Sequence, residues 1–587
     1  MLYHNSRAPE CRAPMGAVRT GSPVRFRLFG TDRSARVSLI ITALGRREMQ
    51  PMYPAGDDCH EIRVLMPDTP CIFQYFFHVQ RQFGGEEYYG NAWDGLGGEG
   101  TPSGPEPIPF QVTVYAADYQ TPEYLHGGVM YQIFPDRFYA PEKPRSNRTN
   151  LYLHDSWEDV PLRRVTAVKE EDNYSLDFFG GSLRGIEEKL PYLSDLGVTV
   201  IYLNPIFQAR SNHRYDTGDY LKIDPMLGTQ EDFERLCRSA ERCHIRVMLD
   251  GVFSHTGTDS RYFNYYGHYG QGGAYRTKDS RYYSWYKFDR WPDDYKSWWG
   301  IKTLPELNKD DPSVRAYFLG EHGVVRRWLH SGASAWRLDV ADELPMSYLR
   351  QLRQSARTEK PDAAVLGEVW EDASHKVSYG EMRSYCLGDT LDSVMNYPLR
   401  SAVIDWLLFR SDAYRLCRVI ESQQENYAPP FYYSLMNLMG SHDRPRVLSL
   451  LCREVENDDD HEPIRKGASR AALARGKQRV LVFMRLLCVL PGIVSVYYGD
   501  ECGMRGSADP YCRGTYPWGR GDEAMLNEIR DILAIRKRPV IRVGRMTVRA
   551  QDADTLIIRR EISAGHDAFG RPAEDDVFEW KAVRPAL

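Results

Sequence analysis

The sequence predicts an α/β protein built around a (β/α)8 barrel, also called a TIM barrel. Eight short apolar runs of strand type alternate with helical patterns between residues 121 and 540. Several of these runs end in charged or imidazole side chains, as the strands of an active-site barrel do. No Gly-rich phosphate loop follows the first run, so the alternative doubly wound sheet lacks the motif that would support it.

The first 120 residues predict a separate β domain. Turn residues divide them into short alternating runs with no helical period: "PVRFRLFG", "RVSLIITA", "CIFQYFFHVQ" and "FQVTVYA". This pattern is typical of an antiparallel, immunoglobulin-like β-sandwich. We expect the domain to bind carbohydrate or to mediate dimerisation.

The barrel strands and helices follow in alternation. The predicted strands are "GVMYQIF", "VTVIYLNPIF", "RVMLDGVF", "SAWRLDVA", "AVLGEVW", "DSVMNYP", "LMNLMGSHD" and "GIVSVYYGDE". Residues 229–245 place Phe233, Leu236, Cys237 and Ala240 on one helical face. A second helical pattern, "SLRGIEEKLPYLSDLGV", contains Pro191, which predicts a bend.

Two segments depart from the simple alternation. Residues 256–312 are far too long for an ordinary loop after the third strand, so they predict a small subdomain over the active-site face. Residues 541–587 contain two strand-type runs, "MTVRAQ" and "TLIIRRE", and predict a short C-terminal β appendage.

Composition excludes some classes of partner and suggests another. The 587 residues carry a formal net charge of −5, which gives no reason to expect nucleic acid or an acidic membrane surface. The 38 Tyr and 12 Trp include many in loops, such as 281–300, where their rings would suit the flat faces of sugars. Packing under a long loop is the alternative for any single ring.

The cellular location is predicted to be the cytoplasm. The opening residues lack the basic start and apolar core of a secretory signal, and no run approaches the length of a membrane span. The 11 cysteines are odd in number and scattered, which is typical of reduced thiols rather than of a disulfide framework. No Cys/His spacing resembles a zinc site, so no metal ligands are predicted.

Polar side chains gather at the carboxyl ends of four predicted strands. They are Asp250 and His255 after the third, Arg337 and Asp339 on the fourth, Glu368 on the fifth, and His442 and Asp443 after the seventh. Any one of them alone could cap a strand or join a buried ion pair. Together they predict one active site, because the carboxyl ends of barrel strands converge.

Strand alternation suggests roles for two carboxyl groups. Arg337 and Asp339 lie two apart and therefore face the same side of the strand, whereas Trp336 and Leu338 face the helices. We expect Arg337 to lower the pKa of Asp339 and keep it ionised, as a nucleophile requires. Glu368 lies in the apolar run "VLGEVW", where burial would raise its pKa and suit a general acid. Such a pair is typical of glycosidases.

These motifs resemble those of the α-amylase family, glycoside hydrolase family 13. The four segments that carry the resemblance are "DGVFSH" (250–255), "WRLDVADE" (336–343), "GEVW" (367–370) and "GSHD" (440–443), supported by "LPELN", "GGSLRGI" and "YYGDE". Together with "YQIFPDRF" and the β-rich N-terminal domain, they are most similar to neopullulanases, cyclomaltodextrinases and maltogenic amylases. That subgroup implies an α-glucan substrate and, by analogy, a homodimer.

The resemblance implies a retaining double displacement and a role for each site residue. Asp339 would be the nucleophile, Glu368 the general acid and base, and Asp443 the ligand of the distorted sugar's hydroxyls. The substrate-binding set that it implies is His213, Tyr215, Asp250, His255, Arg337, His442, Asp509 and Arg513. Within this set, Tyr215 would stack on the sugar ring and Arg337 would orient the nucleophile.

The chain departs from the family pattern in its calcium position. Ser254 stands where many members have an Asn that binds a structural calcium, so no cofactor is expected to be required. A separate calcium near "RSNRTN" (145–150) has little support, because Asn-rich loops more often cap turns.

Four alternatives to an α-1,4-acting hydrolase would use the same barrel. An α-1,6 debranching enzyme or a transglycosylase would use the same machinery. A non-catalytic glucan-binding protein would be expected to have lost Asp339, Glu368 or Asp443, and all three are present. The membrane-associated barrels of amino-acid transporters require a spanning helix, which the sequence does not predict.

Overall fold

The computed structural model describes residues 1–82, 84–143, 146, 148–166, 173–464 and 466–586. Its N-terminal region forms two antiparallel-dominated sheets that enclose a core of apolar side chains, among them Phe26, Leu39, Phe73 and Tyr75. One sheet contains Arg12–Ala13, Pro23–Phe29, Cys59–Leu65 and Tyr53–Pro54. The other contains Thr101–Ser103, Glu86–Gly90, Cys71–Gln80, Phe110–Tyr115, Val18–Arg19, Arg36–Ala43 and Arg46–Pro51.

In the described part of the chain, eight parallel strands form the predicted barrel. In chain order they are Val129–Ile133, Val200–Leu203, Arg246–Gly251, Ala335–Leu338, Ala364–Gly367, Ser393–Val394, Met436–Leu438 and Ile493–Tyr497. The eighth strand pairs with the first, so that Val129 lies opposite Val494. We refer to them below as the first to eighth barrel strands.

The barrel closes between its sixth and seventh strands through few backbone contacts. The sixth strand has two residues, and a single bridge joins Met395 to Met436. The Asn396 N–H donates to the Met436 carbonyl at 2.9 Å. The Asn396 side-chain amide also donates to Asn437 at 2.9 Å and to Gln423 at 3.0 Å. Side-chain amides therefore replace much of the missing strand ladder.

Side chains alternate across the barrel wall as the sequence predicts. Ala335 belongs to the inner apolar cluster with residues such as Met248 and Leu366, whereas Trp336 belongs to the outer cluster. The Trp336 indole N–H donates to the Val325 carbonyl in the surrounding helix layer at 3.3 Å. Arg337 thus points inward.

Helices surround the strands. Those of the described residues are Pro135–Phe138, Leu183–Glu188, Leu190–Asp195, Gln230–Arg242, Pro312–Leu319, Val324–His330, Met346–Glu359, Tyr397–Leu407, Ala413–Asn426, Pro429–Tyr432, Val447–Leu451, Arg470–Val489, Glu523–Ala534 and Pro539–Val543. Gln230–Arg242 begins with a capping box formed by Thr229 and Asp232, and it buries the predicted face. The pattern around Pro191 breaks at Lys189 into two short helices, because proline is accommodated in the first turn of the second. Among the helices that the structure describes, none has the length and apolar character of a membrane span.

The two additional segments lie where the sequence places them. The insertion after the third strand contains a small ladder of Phe288–Arg290 with Asp294–Tyr295 and an aromatic core that includes Phe263 and Trp285. An isolated bridge between His255 and Glu306 attaches it to the barrel. The described C-terminal residues form an antiparallel sheet of Arg545–Asp552, Thr555–Ile562 and Asp576–Val583. The last of these strands was not predicted.

Candidate active site

A buried arginine at the carboxyl end of the fourth barrel strand joins three carboxyl groups. Nη1 of Arg337 donates to Oδ1 of Asp250 at 2.8 Å and to Oδ1 of Asp339 at 2.9 Å. Its Nη2 lies 3.0 Å from Oε2 of Glu368. Asp250 pairs with Arg337 in the parallel register, so adjacent strands bring these side chains together without any loop rearrangement. Third, fourth and fifth strands therefore contribute to one site.

A strained backbone residue helps to orient Glu368. Val340 has a φ of 39°, a left-handed conformation that is costly for a β-branched residue. In this conformation its N–H donates to Oε2 of Glu368 at 2.8 Å. The Glu368 backbone N–H is held by the Leu338 carbonyl at 3.0 Å. Hydrogen bonds at both the backbone and the carboxyl group of Glu368 thus hold this side chain beside Arg337.

Burial has the largest effect on the pKa values of Asp339 and Glu368, the predicted nucleophile and general acid. It raises the pKa of Asp339 well above its ordinary value; Arg337 opposes this shift, and the charge of Glu368 adds to it. Arg337 does lower the pKa of Asp339, as expected, but the expected net depression was wrong, because the effect of burial outweighs that of the guanidinium. Burial also raises the pKa of Glu368, as expected, with Arg337 opposing and Asp443 adding to the rise. Both carboxyl groups therefore hold a proton more tightly than exposed carboxyl groups do.

A second network joins Asp250 to the seventh strand through a tyrosine. The Tyr215 hydroxyl lies 2.8 Å from Oδ2 of Asp250 and 2.6 Å from Nε2 of His442. The Tyr215 and His442 rings are stacked, 5.3 Å apart and 6° from parallel. The Gln132 amide nitrogen lies 2.8 Å from Nδ1 of His442, and burial lowers the imidazole's pKa well below its usual range. Neutral His442 accepts at Nδ1 and donates from Nε2 to the tyrosine oxygen.

Arg513 supplies the second cation of the site. Its Nε donates to the His442 carbonyl at 2.9 Å, and its Nη1 lies 2.8 Å from Oδ1 of Asp509. Its Nη2 lies 3.6 Å from Oδ1 of Asp443. Burial raises the pKa of the Asp443 carboxyl, and Arg513 opposes that shift. Asp443 therefore lies near a cation that it shares with Asp509.

The two remaining histidines line the same space. Nδ1 of His255 lies 2.7 Å from the Ser254 hydroxyl, and burial lowers the pKa of His255 to about 3. Nδ1 of His213 accepts from the Tyr215 N–H at 3.1 Å. Burial lowers the pKa of His213, and the charges of Arg513 and of the other imidazoles lower it further. The structure thus brings the predicted site residues around one cleft.

The residues at the family's calcium position do not fit that ion. Ser254 is fully buried, and its hydroxyl is committed to the His255 ring. A hydroxyl engaged in this way does not supply the free carbonyl or carboxylate oxygen that calcium prefers. Of the other segment considered for calcium, Arg145 and Asn147 lie outside the described residues.

Three contributors to the site were missed in the sequence. The Tyr202 hydroxyl donates to Oδ2 of Asp250 at 2.6 Å, Gln132 contacts His442, and Trp298 lies 5.6 Å from His255, ring to ring. Tyr202 and Gln132 are polar residues at inward positions of the second and first strands, which alternation could have identified. Trp298 begins a short 3-10 turn in the aromatic-rich segment 281–300, whose composition suggested sugar binding without singling out this ring.

A cavity elsewhere is unrelated to this chemistry. It has a volume of about 980 Å³ and lies at the opposite, amino end of the barrel, where Arg246, Ser334 and Lys360 line it. The strand-end carboxyl groups do not border it.

Comparisons with known proteins agree with this geometry. The family model "Alpha amylase, catalytic domain" matches residues 132–542. An amylopullulanase from Thermoanaerobacterium saccharolyticum is 35% identical over 98% of this chain and 47% of its own length. The chain thus spans about half the length of that curated relative. A cyclomaltodextrinase from Geobacillus thermopakistaniensis is 33% identical over 72% of this chain and 64% of its own.

A solved structure extends the likeness to three dimensions. Cyclic α-maltosyl-(1→6)-maltose hydrolase from Arthrobacter globiformis is 30% identical, with a TM-score of 0.63 over 76% of this chain and 90% of that one. The match of the family model covers most of the chain and includes the strands that carry Asp250, Asp339, Glu368 and Asp443. This chain therefore belongs to the α-amylase family.

Proposed function

We propose that this protein is a retaining glycoside hydrolase that cleaves α-1,4-glucosidic bonds in maltooligosaccharides, cyclodextrins, pullulan or starch. The observation that carries the proposal is the set of contacts from Arg337 to Asp250, Asp339 and Glu368, at 2.8, 2.9 and 3.0 Å. Buried carboxyl groups in such proximity are costly to the fold, and a pair with one ionised and one protonated carboxyl group is the requirement of glycosidase chemistry.

In the first step, the ionised Asp339 attacks the anomeric carbon while Glu368 donates its proton to the leaving glycosidic oxygen. The bond between that carbon and oxygen breaks as the ester bond to Asp339 forms. Arg337 is hydrogen-bonded to Asp339 and holds the attacking oxygen in place. Val340 orients Glu368 through its N–H.

In the second step, the ionised Glu368 takes a proton from water, and the resulting hydroxide attacks the anomeric carbon and releases Asp339. Two inversions leave the product in its original α configuration. Asp443, His442 and His255 would bind sugar hydroxyls, and the Tyr215 ring would stack on the sugar face. His213, Asp509 and Arg513 would close the same subsite.

The stereochemistry of the product tests the mechanism. The protein should release α-maltose or another α-anomer from maltooligosaccharides. NMR spectra recorded within the first minutes, before mutarotation, would identify the anomer. Initial release of the β-anomer would exclude a double displacement. The absence of any hydrolysis of maltooligosaccharides, cyclodextrins, pullulan and starch would exclude the proposed activity.

Cleavage of α-1,6 bonds is the second candidate function. It is favoured by the likeness to an amylopullulanase along almost the whole chain. Chromatography of pullulan digests distinguishes the two: panose indicates α-1,4 cleavage, and maltotriose indicates α-1,6 cleavage. A transglycosylase would instead form longer oligosaccharides from short ones.

Location and assembly are further parts of the proposal. All eleven cysteines, each within the described part of the chain, are free, which supports a reducing, cytoplasmic location. We propose that no cofactor is required and that two copies form a homodimer. Activity after dialysis against a chelator and light scattering of the purified protein test these two points.

A further inference from the structure

A motif at the start of the barrel contains charged residues that the proposed mechanism does not use. The segment "YQIFPDRF" (131–138) includes Asp136 and Arg137, and both side chains are buried. Nε of Arg137 donates to Oδ2 of Asp136 at 2.8 Å, and the guanidinium packs over the Phe179 ring at 4.5 Å. Buried charges are costly unless they are paired and hydrogen-bonded, so the remaining contacts of Arg137 indicate what it does.

Arg137 holds the backbone of a substrate-binding residue. Its Nη1 donates to the carbonyl of Arg513, which lies 376 positions further along the chain, at 2.9 Å. The Arg513 side chain in turn contacts His442 and Asp509 in the cleft. The start of the barrel therefore fixes the main chain from which this guanidinium extends.

Asp177 joins Arg137 to a second substrate-binding segment. Nη2 of Arg137 lies 3.4 Å from Oδ2 of Asp177 and donates to the Asp177 carbonyl at 3.1 Å. The Asn212 side-chain amide donates to Oδ1 and to the carbonyl of the same aspartate, at 2.9 Å each. Asn212 immediately precedes His213. One aspartate thus contacts both the arginine that holds one segment and the residue that leads into the other.

The Asp177 carboxylate is buried and keeps its negative charge. Its Oδ2 also accepts from the Leu162 N–H at 3.0 Å and lies 3.1 Å from Nε2 of His154. Burial by itself raises the pKa of Asp177, but Arg137 and the His154 hydrogen bond outweigh burial and leave the pKa below its ordinary value. This carboxyl group therefore differs from those of the catalytic centre, whose pKa values are raised.

The two segments that Asp177 connects meet in the cleft. After burial, the charge of Arg513 is the largest influence that lowers the pKa of His213, so these two side chains lie close together. Arg513 ends a short 3-10 turn and His213 lies in a loop, so neither belongs to a barrel strand. Strand geometry does not set the distance between them. A carboxylate that holds both segments does.

We infer that Asp177 is a positioning residue. Through Arg137 it holds Arg513, and through Asn212 it holds His213, so that both side chains meet the sugar ring that the nucleophile attacks. This inference rests on the proposed function. Asp177 itself does not reach the substrate, but a displacement of about 1 Å in a group that does can lower the rate about 10²-fold.

Fluoride release from α-maltosyl fluoride tests the link between Asn212 and His213. Asn212→Ala removes this link and leaves the buried ion pair of Asp177 with Arg137 in place. Its kcat/KM should fall about tenfold, because His213 loses its fixed position. In protein that already carries His213→Ala, the same substitution should cost less than about twofold, because the side chain that Asn212 positions is absent.

Asp177→Asn tests the aspartate itself. An amide of the same shape places an NH2 group against the donors of Arg137 or Asn212, so both segments should shift and kcat/KM should fall about 100-fold. When it is combined with His213→Ala, the loss should be smaller than the product of the two single losses. The test with Asn212→Ala does not depend on whether this variant folds.

Asp159→Asn is the matched control. It also removes a carboxylate beside His154, 3.1 Å from Nδ1, but in the described part of the chain Asp159 makes no hydrogen bond to Arg137 or Asn212. Its rate of fluoride release should change by less than about twofold.

The outcomes separate the two proposals. If the native protein releases no fluoride, the proposed function is wrong. If it does, and Asn212→Ala matches the native protein, Asp177 does not position His213. If the losses of Asn212→Ala and His213→Ala multiply, the two residues act independently and the positioning role is likewise wrong.

Discussion

Replacing the nucleophile with its amide should abolish activity and stabilise the fold. In Asp339→Asn, the amide cannot form the glycosyl ester, so kcat should fall by at least about 10⁴-fold. Burial raises the pKa of Asp339, which means that its ionised form is held at a cost in the folded state. Each pKa unit of that rise corresponds to about 1.4 kcal/mol. The amide retains an acceptor oxygen for Arg337 and removes the charge.

The stabilisation has a defined pH dependence. A carboxyl group whose folded pKa is raised binds its proton more tightly in the folded protein, so stability is lost as pH rises from about 4, the unfolded value, through the folded pKa. Asp339→Asn has no carboxyl group at this position and therefore does not lose stability in this way as pH rises. Its melting temperature should therefore exceed that of the native protein more at pH 8 than at pH 5, by about 0.8 °C for each kcal/mol regained in a chain of 587 residues.

Thermal melts and initial rates measure both effects. Asp362→Asn alters an exposed carboxylate that pairs with Arg246 at 2.8 Å, and this control should leave activity unchanged. An active Asp339→Asn enzyme would refute the nucleophile assignment. A melting temperature below that of the native protein at pH 8, or a difference that grows toward pH 5, would refute the electrostatic reasoning.

Three further predictions follow from contacts within the site. Tyr215→Phe keeps the ring that stacks on His442 but removes the hydroxyl between His442 and Asp250. We therefore expect kcat to fall about 10–100-fold with a smaller change in KM, which steady-state kinetics would measure. Tyr202→Phe leaves buried Asp250 one hydrogen bond short and should destabilise the protein by about 1–3 kcal/mol in chemical denaturation; an unchanged midpoint would contradict this. Burial raises the pKa of Cys512 to about 12, so mass spectrometry should find this thiol unmodified after treatment of the native protein with iodoacetamide at pH 8.

The sequence predicted those parts of the site that follow from strand geometry alone. Two-residue alternation places Arg337 and Asp339 on the inner face, and the parallel register places Asp250 beside them. The helix Gln230–Arg242 could likewise be predicted, because its apolar period and its capping residues agree. These features depend on local backbone geometry and therefore leave a signal in the order of residues.

Other features depend on distances between remote segments and leave no such signal. The direction of the Asp339 pKa shift depends on how completely the folded chain buries this carboxyl group, which strand order alone does not reveal. The aromatic-rich segment 281–300 could be singled out from composition, but which of its rings lies near the site depends on how this loop packs, and the structure places the Trp298 ring 5.6 Å from that of His255.

The amide contacts at the barrel's closure carry a consequence for solubility. A closed barrel has no free strand edge, and here that property depends on Asn396 bridging toward Asn437 and Gln423 beside a two-residue strand. Asn396→Leu would remove those side-chain contacts and leave the seventh strand's edge held only by the backbone contacts of Met395 and residue 396 with Met436. Free edges pair with other chains. We therefore expect such a variant to aggregate on mild heating before its remaining strands unfold, so that these buried amides protect the protein from self-association.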